Sequence, residues 1–371
     1  RCGHCATFRG EDQSIPKARM TDLANLSKLS EAQLRATLPL AWWFDPAIAK
    51  LEERVLFSEG VQYLGHELMV PNVGDYQVLP WFANGKVLTR NKNGVHVISN
   101  ICRHRHGVLL EGRGNARNIV CPLHRWSYDL QGKLLSAPHF PCKPELNLER
   151  AELKSWNGLL YTGARDLSRD LAGLSTQADL DFSGYVFDRL NVEEYDFNWK
   201  SFLEPYLELY HVEPFHVGLK GFVDASDFRW EFGEWHSLQV LGVKDGLTQP
   251  ASEAYKIYQE ALLKHTGGRP PKYATMWFIY YPNVMVEWYP HALVVSTLWP
   301  RGAERCVNYV EFYYEEEIAR EHRELIDLHQ LAYEETARED AQICQRSHNG
   351  RRALWHMGQD HCGPSQTPME D

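Results

Sequence analysis

The chain has 371 residues, 44% of them hydrophobic and 24% charged, with a formal net charge of −10 at pH 7. This length predicts two domains, or one large domain with a smaller one attached. The negative charge argues against nucleic acid or an anionic membrane surface as a partner, and no apolar run approaches the roughly 18 residues of a membrane span. The eight cysteines are scattered and too few for a disulfide scaffold in a chain of this length, and no secretory signal is recognisable. We therefore expect the protein in a reducing cytoplasm.

The pattern of apolar residues divides the chain into three segments. Residues 1–60 are predicted to be an N-terminal extension with amphipathic helices that pack on the larger domain, and Asp45-Pro46 is a typical helix start. Residues 61–165 contain short β-like runs separated by turn pairs, of which Asn84-Gly85 and Asn93-Gly94 indicate hairpins. We therefore expect a small antiparallel β domain in the second segment.

Residues 166–371 mix helical and strand patterns. The stretch NWKSFLEPYLELYHVEPFH predicts a helix ending at Pro214, and three strands follow, joined by turns at Pro282-Asn283 and Pro290-His291. VNYVEFYYE predicts a fourth strand, and a long helix is predicted over about 315–350. An antiparallel sheet packed on helices makes the predicted fold class α+β.

The first group of candidate ligands lies in the β domain. Cys102-x-His104 is followed after 16 residues by Cys121-x-x-His124. Thiolate and imidazole together suit either zinc or an iron–sulfur cluster. Zinc fingers usually pair CxxC with HxxxH, whereas here each loop carries one cysteine and one histidine, as in a Rieske [2Fe–2S] centre. A structural zinc site remains the alternative at this point.

The sequence CRHR…CPLHRWSYDLQGKL resembles the Rieske domain of the Rieske non-haem iron oxygenases, whose loops commonly read CPHRG and CPYHGWxY…G. The resemblance implies that the four residues above hold a [2Fe–2S] cluster. Arg103 and His106 depart from the family pattern, because they occupy the usual proline and glycine positions. His106 is not at a ligand position of the family. Four further residues match the pattern: Pro122, Trp126, Tyr128 and Gly132.

A second group, Glu208-x-x-His211-x4-His216, lies in the larger domain. On the predicted helix Glu208 and His211 share a face, and a break at Pro214 lets His216 return toward the same point. Two histidines and a carboxylate leave open positions on ferrous iron for O2. With Asn198-Trp199-Lys200 before it, the stretch resembles the oxygenase signature NWK…(D/E)xxHxxxxH. The resemblance implies that both histidines bind a mononuclear iron and that Glu208 bridges to the cluster of a neighbouring subunit.

The third iron ligand is predicted in the long C-terminal helix. Asp340 shares a helix face with Tyr333 and Ala337. A carboxylate on a face that also carries apolar groups needs a partner, and a metal ion would be one. The family's carboxylate ligand lies in an ED element of this kind. Asp340 matches that position, and Glu339 is the alternative.

The resemblance further implies a helix-grip (START-like) catalytic domain and a homotrimer that takes electrons from a NAD(P)H-dependent flavin and iron–sulfur reductase, possibly through a ferredoxin. O2 would then hydroxylate or demethylate a small organic substrate, either an aromatic or a quaternary ammonium compound. Glutamate at position 208 is a hint toward the second class. Five tryptophans could form an aromatic cage or simply a core: Trp230, Trp235, Trp277, Trp288 and Trp299. A ferredoxin-like electron carrier without oxygenase chemistry is the alternative function.

Overall fold

The structure, a computed structural model, describes residues 38–175 and 178–360. Three small sheets, one of four strands and two of three strands, lie in the first part of the chain, and a seven-stranded sheet lies in the second part. The strands of the first part are β1 Gln62–His66, β2 Asp75–Leu79, β3 Lys86–Asn91, β4 Gly94–Ser99, β5 Arg113–Asn115, β6 Ile119–Val120, β7 Ser127–Tyr128, β8 Leu134–Ser136, β9 Lys154–Trp156 and β10 Leu159–Thr162. They pair in the orders β4-β3-β2-β5, β6-β7-β8 and β1-β10-β9.

The strands of the second part form one antiparallel sheet in the order β11-β17-β16-β15-β14-β13-β12. They are β11 Tyr185–Tyr195, β12 Val223–Phe232, β13 His236–Val243, β14 Thr275–Tyr280, β15 Val284–Tyr289, β16 Ala292–Pro300 and β17 Cys306–Glu315. The α-helices are α1 Ala41–Phe44, α2 Pro46–Glu52, α3 Leu167–Asp170, α4 Trp199–Tyr206, α5 Val212–Phe215, α6 Glu253–His265, α7 Glu316–Glu321 and α8 Arg323–His356. Of these helices, none is long and apolar enough to cross a membrane.

Much of the predicted pattern is confirmed. The α+β class holds, Asn93-Gly94 lies at the β3–β4 hairpin, and Asn84-Gly85 lies in the longer connection of the antiparallel pair β2–β3. The side chain of Asp45 accepts a hydrogen bond from the N–H of Ala47 and caps α2, with Pro46 in its first turn. The four strands predicted from 273 to 315 are β14 to β17, whereas β11, β12, β13 and α6 were not predicted.

The prediction of one helix ending at Pro214 is wrong. The first helix, α4, ends at Tyr206, one residue after Pro205, which has no N–H to donate within the helix. Pro214 instead lies within α5, in a first turn where an N–H has no intrahelical acceptor. The long C-terminal helix is also divided, since α7 and α8 are separated at His322.

The seven-stranded sheet buries both of its faces. The outer face packs against β1, β9 and β10 and against Phe57, which follows α2, and the inner face packs against α6 and α8. The motif Asn198-Trp199-Lys200 anchors this arrangement. Asn198 caps α4 through the N–H of Lys200, and Lys200 and Trp199 both donate to Glu52 of α2, with Lys200 Nζ 2.7 Å from Glu52 Oε1. This buried ion pair fixes α2 to the helix that precedes the second ligand group.

Glu311 of β17 joins the smaller sheets to the outer face. The hydroxyls of Tyr63 on β1 and of Tyr313 donate to Glu311 Oε2 at 2.8 and 2.6 Å, and the carboxyl group is fully buried. Burial raises the pKa of Glu311 to about 8, although both hydroxyl donors act to lower it. The side chain therefore keeps its proton at neutral pH.

Replacing Glu311 by glutamine should remove a pH-dependent loss of stability. Because the folded pKa lies above the ordinary value of 4.5, the folded chain holds a proton that the unfolded chain lacks between these values, so the free energy of unfolding falls as pH rises through that window. Thermal unfolding followed by circular dichroism should show Glu311→Gln more stable than the wild type at pH 9 and little changed at pH 5. Parallel curves for the two proteins would contradict this assignment.

Candidate metal centres and substrate cavity

The two Cys–His loops close in the same way although their spacings differ. In each loop the residue four positions after the cysteine donates its N–H to the cysteine's carbonyl, and the cysteine's own N–H donates to the carbonyl five positions on. The bonds are His106 to Cys102 at 3.0 Å, Arg125 to Cys121 at 3.1 Å, Cys102 to Gly107 at 2.9 Å and Cys121 to Trp126 at 2.8 Å. The loops thus present their cysteines and histidines in equivalent ways.

His106 adopts a left-handed backbone conformation, with φ at 57°, and Arg125 does the same with φ at 63°. This conformation favours glycine, which explains why a glycine is usual at the position of His106. The side chain of His106 is exposed.

The four candidate cluster ligands are brought to one end of the domain, with sulfur inside and nitrogen outside. Cys102 and Cys121 are each 1% exposed, whereas His124 is exposed and His104 is half-buried. The imidazole rings lie 4.8 Å apart between centroids, and His104 also stacks on Trp126. The buried Nδ1 of His104 has no hydrogen-bond partner among the described residues, as expected of an atom that binds a metal.

The four loop residues separate into a buried pair of thiols and a less buried pair of imidazoles. A [2Fe–2S] cluster keeps its thiolate pair and its imidazole pair on different irons, so the residues present fit that cluster.

The second ligand group converges across a single helical turn. His211 immediately precedes α5 and His216 immediately follows it, so this short helix turns the two imidazoles toward α8. The Nε2 atoms of His211 and His216 lie 3.5 and 3.0 Å from Oδ1 of Asp340. Two imidazoles and a carboxylate form the facial ligand set of non-haem iron, and these residues fit that metal.

Each of these imidazoles turns its other ring nitrogen to a second carboxylate. Nδ1 of His211 contacts Glu208, and Nδ1 of His216 lies 2.8 Å from Oε2 of Glu339. A carboxylate that accepts from Nδ1 orients the ring and leaves Nε2 free to bind the metal. Glu339, the alternative ligand in the sequence, thus lies behind His216 rather than among the three converging atoms.

The electrostatics of the group also favour a cation. Burial alone would lower the pKa of His211, but its hydrogen bonds to Asp340 and Glu208 outweigh burial and raise the pKa to about 9. The pKa of Asp340 is held below its ordinary value by both histidines, although burial opposes this. A metal ion would occupy the same negative potential that otherwise holds a proton.

A cavity extends from this group between α8 and the inner face of the large sheet. Along α8 it is lined by His329, Ala332, Tyr333, Thr336, Ala337 and Asp340. Its other walls are mainly aromatic: Tyr195, Phe202, Tyr206, Phe222, Tyr255, Tyr258, Trp277 and Tyr289. Of the five tryptophans considered above, only Trp277 is among the described lining residues, and Trp299, for example, packs between Phe57 and Phe82 in the core.

Two further carboxylates, which were not predicted from the sequence, line the cavity: Glu193 on β11 and Glu287 on β15. The tyrosine two residues after each glutamate, on the same face of its strand, donates to it: Tyr195 to Glu193, and Tyr289 to Glu287 at 2.7 Å. The signal in the sequence is the repeated pattern Val-Glu-x-Tyr at 192–195, 286–289 and 310–313. The third copy contains Glu311 and faces away from the cavity.

Comparison with known proteins matches both halves of the chain. The family profile described as the Rieske [2Fe-2S] domain matches residues 48–156, and that of the ring hydroxylating alpha subunit (catalytic domain) matches residues 176–371. A putrescine 2-hydroxylase of Ralstonia nicotianae is 52% identical, over 94% of this chain and 96% of that relative. A putrescine 2-hydroxylase of Bordetella bronchiseptica is 43% identical, over 95% and 85%.

A solved structure shares the fold. A quaternary ammonium Rieske monooxygenase superposes with a TM-score of 0.72 at 19% identity, over 94% of this chain and 92% of that one. Oxygenases of this family work with a reductase and form multimers. The matches cover both predicted cofactor domains, the [2Fe–2S] domain and the domain that binds mononuclear non-haem iron. The chain therefore belongs to the ring-hydroxylating alpha-subunit family and is a Rieske oxygenase, an oxidoreductase that oxygenates a small organic substrate.

Proposed function

We propose that this oxygenase hydroxylates a carbon atom of a short aliphatic amine, with putrescine as the first candidate. The observation that carries this proposal is the cavity beside His211, His216 and Asp340, whose described lining includes two more carboxylates and no lysine or arginine. Such a cavity favours a cationic substrate and disfavours an aromatic acid. The names of the two relatives at 52% and 43% identity support the same substrate.

The proposed reaction consumes O2, two electrons and two protons: R–H + O2 + 2 e⁻ + 2 H⁺ gives R–OH + H2O. When bound, the cluster supplies electrons and the mononuclear iron activates O2. The residues of the chain hold these groups, orient the substrate and exclude water. Aromatic side chains form much of the cavity wall, and this apolar surface suits the methylene groups of an aliphatic amine.

We assign the cluster to Cys102, His104, Cys121 and His124, and the iron to His211, His216 and Asp340. Glu208 is assigned the link between His211 and the cluster of a neighbouring subunit. Its contact with Nδ1 of His211 supports this role, as does the exposure of His124 at the other end of the path. The corresponding domain division is 1–60, 61–165 and 166–371, of which residues 1–37 and 361–371 lie outside the described residues.

The partners belong to the same proposal. A homotrimer would bring Glu208 of one subunit to His124 of the next, and a NAD(P)H-dependent flavin and iron–sulfur reductase in the cytoplasm would supply electrons, directly or through a ferredoxin. Exposed apolar side chains around the cluster offer a surface for such contacts: Val108, Leu123 and Phe140 are 44%, 57% and 44% exposed.

Putrescine should stimulate oxygen uptake by the holoenzyme supplied with a surrogate reductase and NADH, and mass spectrometry should detect a product heavier by one oxygen atom. Carnitine and benzoate serve as quaternary ammonium and aromatic acid comparisons. Product from benzoate but not from any amine would overturn the proposed substrate class. Product from carnitine alone would shift it to quaternary ammonium compounds.

Asp340→Ala should lose the mononuclear iron and keep the cluster, because Asp340 contributes one of three converging donor atoms and lies in the larger domain. Iron analysis should fall by about one atom per chain, while the visible absorption of the cluster persists. The exposed Glu334 on the same helix provides the control Glu334→Ala, which should retain both centres. Loss of the cluster in Asp340→Ala would contradict the ligand assignment.

Glu208→Gln should retain both metal centres yet lower the rate of turnover sharply. The amide of glutamine lacks the negative charge with which the carboxylate would link His211 to the neighbouring cluster. The control Glu213→Gln changes an exposed glutamate five residues away and should turn over normally. Measurement of metal content together with single-turnover kinetics tests both variants. Wild-type turnover by Glu208→Gln would rule out the bridging role.

A further inference from the structure

The cavity holds more acidic groups than metal binding requires. Glu193 and Glu287 lie on strands that are not neighbours in the sheet, with β17 and β16 between them, yet both face the same space beside Tyr333 of α8. Each is held by the tyrosine two residues further along its own strand. The two carboxylates therefore have fixed and separate positions on the floor of one cavity.

The carboxylate of Glu287 has no cationic partner among the described residues. The side chain is 6% exposed, and within the described residues it accepts from Tyr289, which in turn accepts from Trp277 Nε1 at 3.3 Å. Burial, together with the charges of Asp340 and Glu193, raises the pKa of Glu287 to about 7, and the hydrogen bond from the Tyr289 hydroxyl partly opposes this. A buried carboxylate with neutral donors only is stabilised by an arriving cation.

Two other buried side chains in the cavity point to a missing ligand. The hydroxyl of Tyr258 and Nε2 of His329 have no hydrogen-bond partner among the described residues, and these residues are 2% and 4% exposed. Burial lowers the pKa of His329 to about 3, so its ring is neutral and adds no positive charge beside the glutamates. The Tyr258 hydroxyl can accept a hydrogen bond from an ammonium group.

We infer that Glu193 and Glu287 are a two-point receptor for the two ammonium groups of a short α,ω-diamine. This inference rests on the proposed function and specifies how the substrate is recognised. The carboxylates, rather than the aromatic side chains, then distinguish a diamine from a monoamine, because a monoamine leaves one of the two carboxylates without a cation.

The test compares two ligands on the iron-loaded holoenzyme without O2. Dissociation constants for putrescine and for butylamine, its counterpart with one amine, are measured by isothermal titration calorimetry. The wild type should prefer putrescine. Glu193→Gln and Glu287→Gln should each weaken putrescine binding by about 10- to 100-fold, as expected for loss of one charged hydrogen bond, and the preference over butylamine should shrink. In turnover assays the KM for putrescine should rise more than kcat falls.

Glu311→Gln is the matched control, because it changes a buried glutamate of the same Val-Glu-x-Tyr pattern on the opposite face of the sheet. It should bind both amines like the wild type, and circular dichroism and iron content verify that all three variants are folded and loaded. If the wild type hydroxylates putrescine but both cavity variants keep the wild-type preference, the receptor is wrong and the proposed function stands. If the wild type neither binds nor oxidises either amine, both fail.

Discussion

A carboxylate removed from water must be stabilised by a proton, a cation or hydrogen-bond donors, and the catalytic domain is organised around several carboxylates of this kind. Glu52 of α2, which packs on this domain, has Lys200 and Trp199 as its partners, and Glu311 is protonated between two tyrosines. Glu208 and Glu339 face the two metal-site imidazoles. The first two stabilise the fold directly, and the other two orient groups that act on a metal.

The two faces of the large sheet carry carboxylates with different roles. A period of two along each strand sends alternate residues to opposite sides, so the same Val-Glu-x-Tyr pattern serves structure on the outer face and the cavity on the inner face. The outer copy connects to Tyr63 of the Rieske domain. The inner copies lie below α8, which carries Asp340 at one end of the cavity and His329 eleven residues away. At 1.5 Å per residue, these two positions are about 16 Å apart along the helix.

The sequence was most informative where chemistry needs fixed residue types at short spacing. Both ligand groups and the four strands from 273 to 315 were predicted, because Cys-x-His, Glu-x-x-His and tight Pro–Asn and Pro–His turns are local signals. The end of α4 at Tyr206 was missed, because the helix was predicted to continue past Pro205 as far as Pro214. The sequence favoured Asp340 over Glu339, but it did not predict that Glu339 lies behind His216, because that contact depends on how α8 is oriented toward α5.

The cavity carboxylates were missed for a different reason. Glu193 and Glu287 are 94 positions apart. They line one cavity only because β15 and β11, a strand that was not predicted, belong to the same sheet. Strand pairing over such distances in the sequence follows from packing of the whole sheet rather than from local propensity. The glutamate–tyrosine repetition is visible in the sequence, but the face on which each copy lies is not.

A crystal structure of the iron-loaded oxygenase with putrescine bound would decide whether the two cavity carboxylates bind the diamine as predicted. Iron should be bound by His211, His216 and Asp340, and one ammonium nitrogen should lie within hydrogen-bond distance, about 2.7–3.2 Å, of each of Glu193 and Glu287. A diamine whose nitrogens contact aromatic faces or solvent, with neither glutamate in reach, would contradict this prediction. Iron held by Glu339 instead of Asp340 would contradict the ligand set.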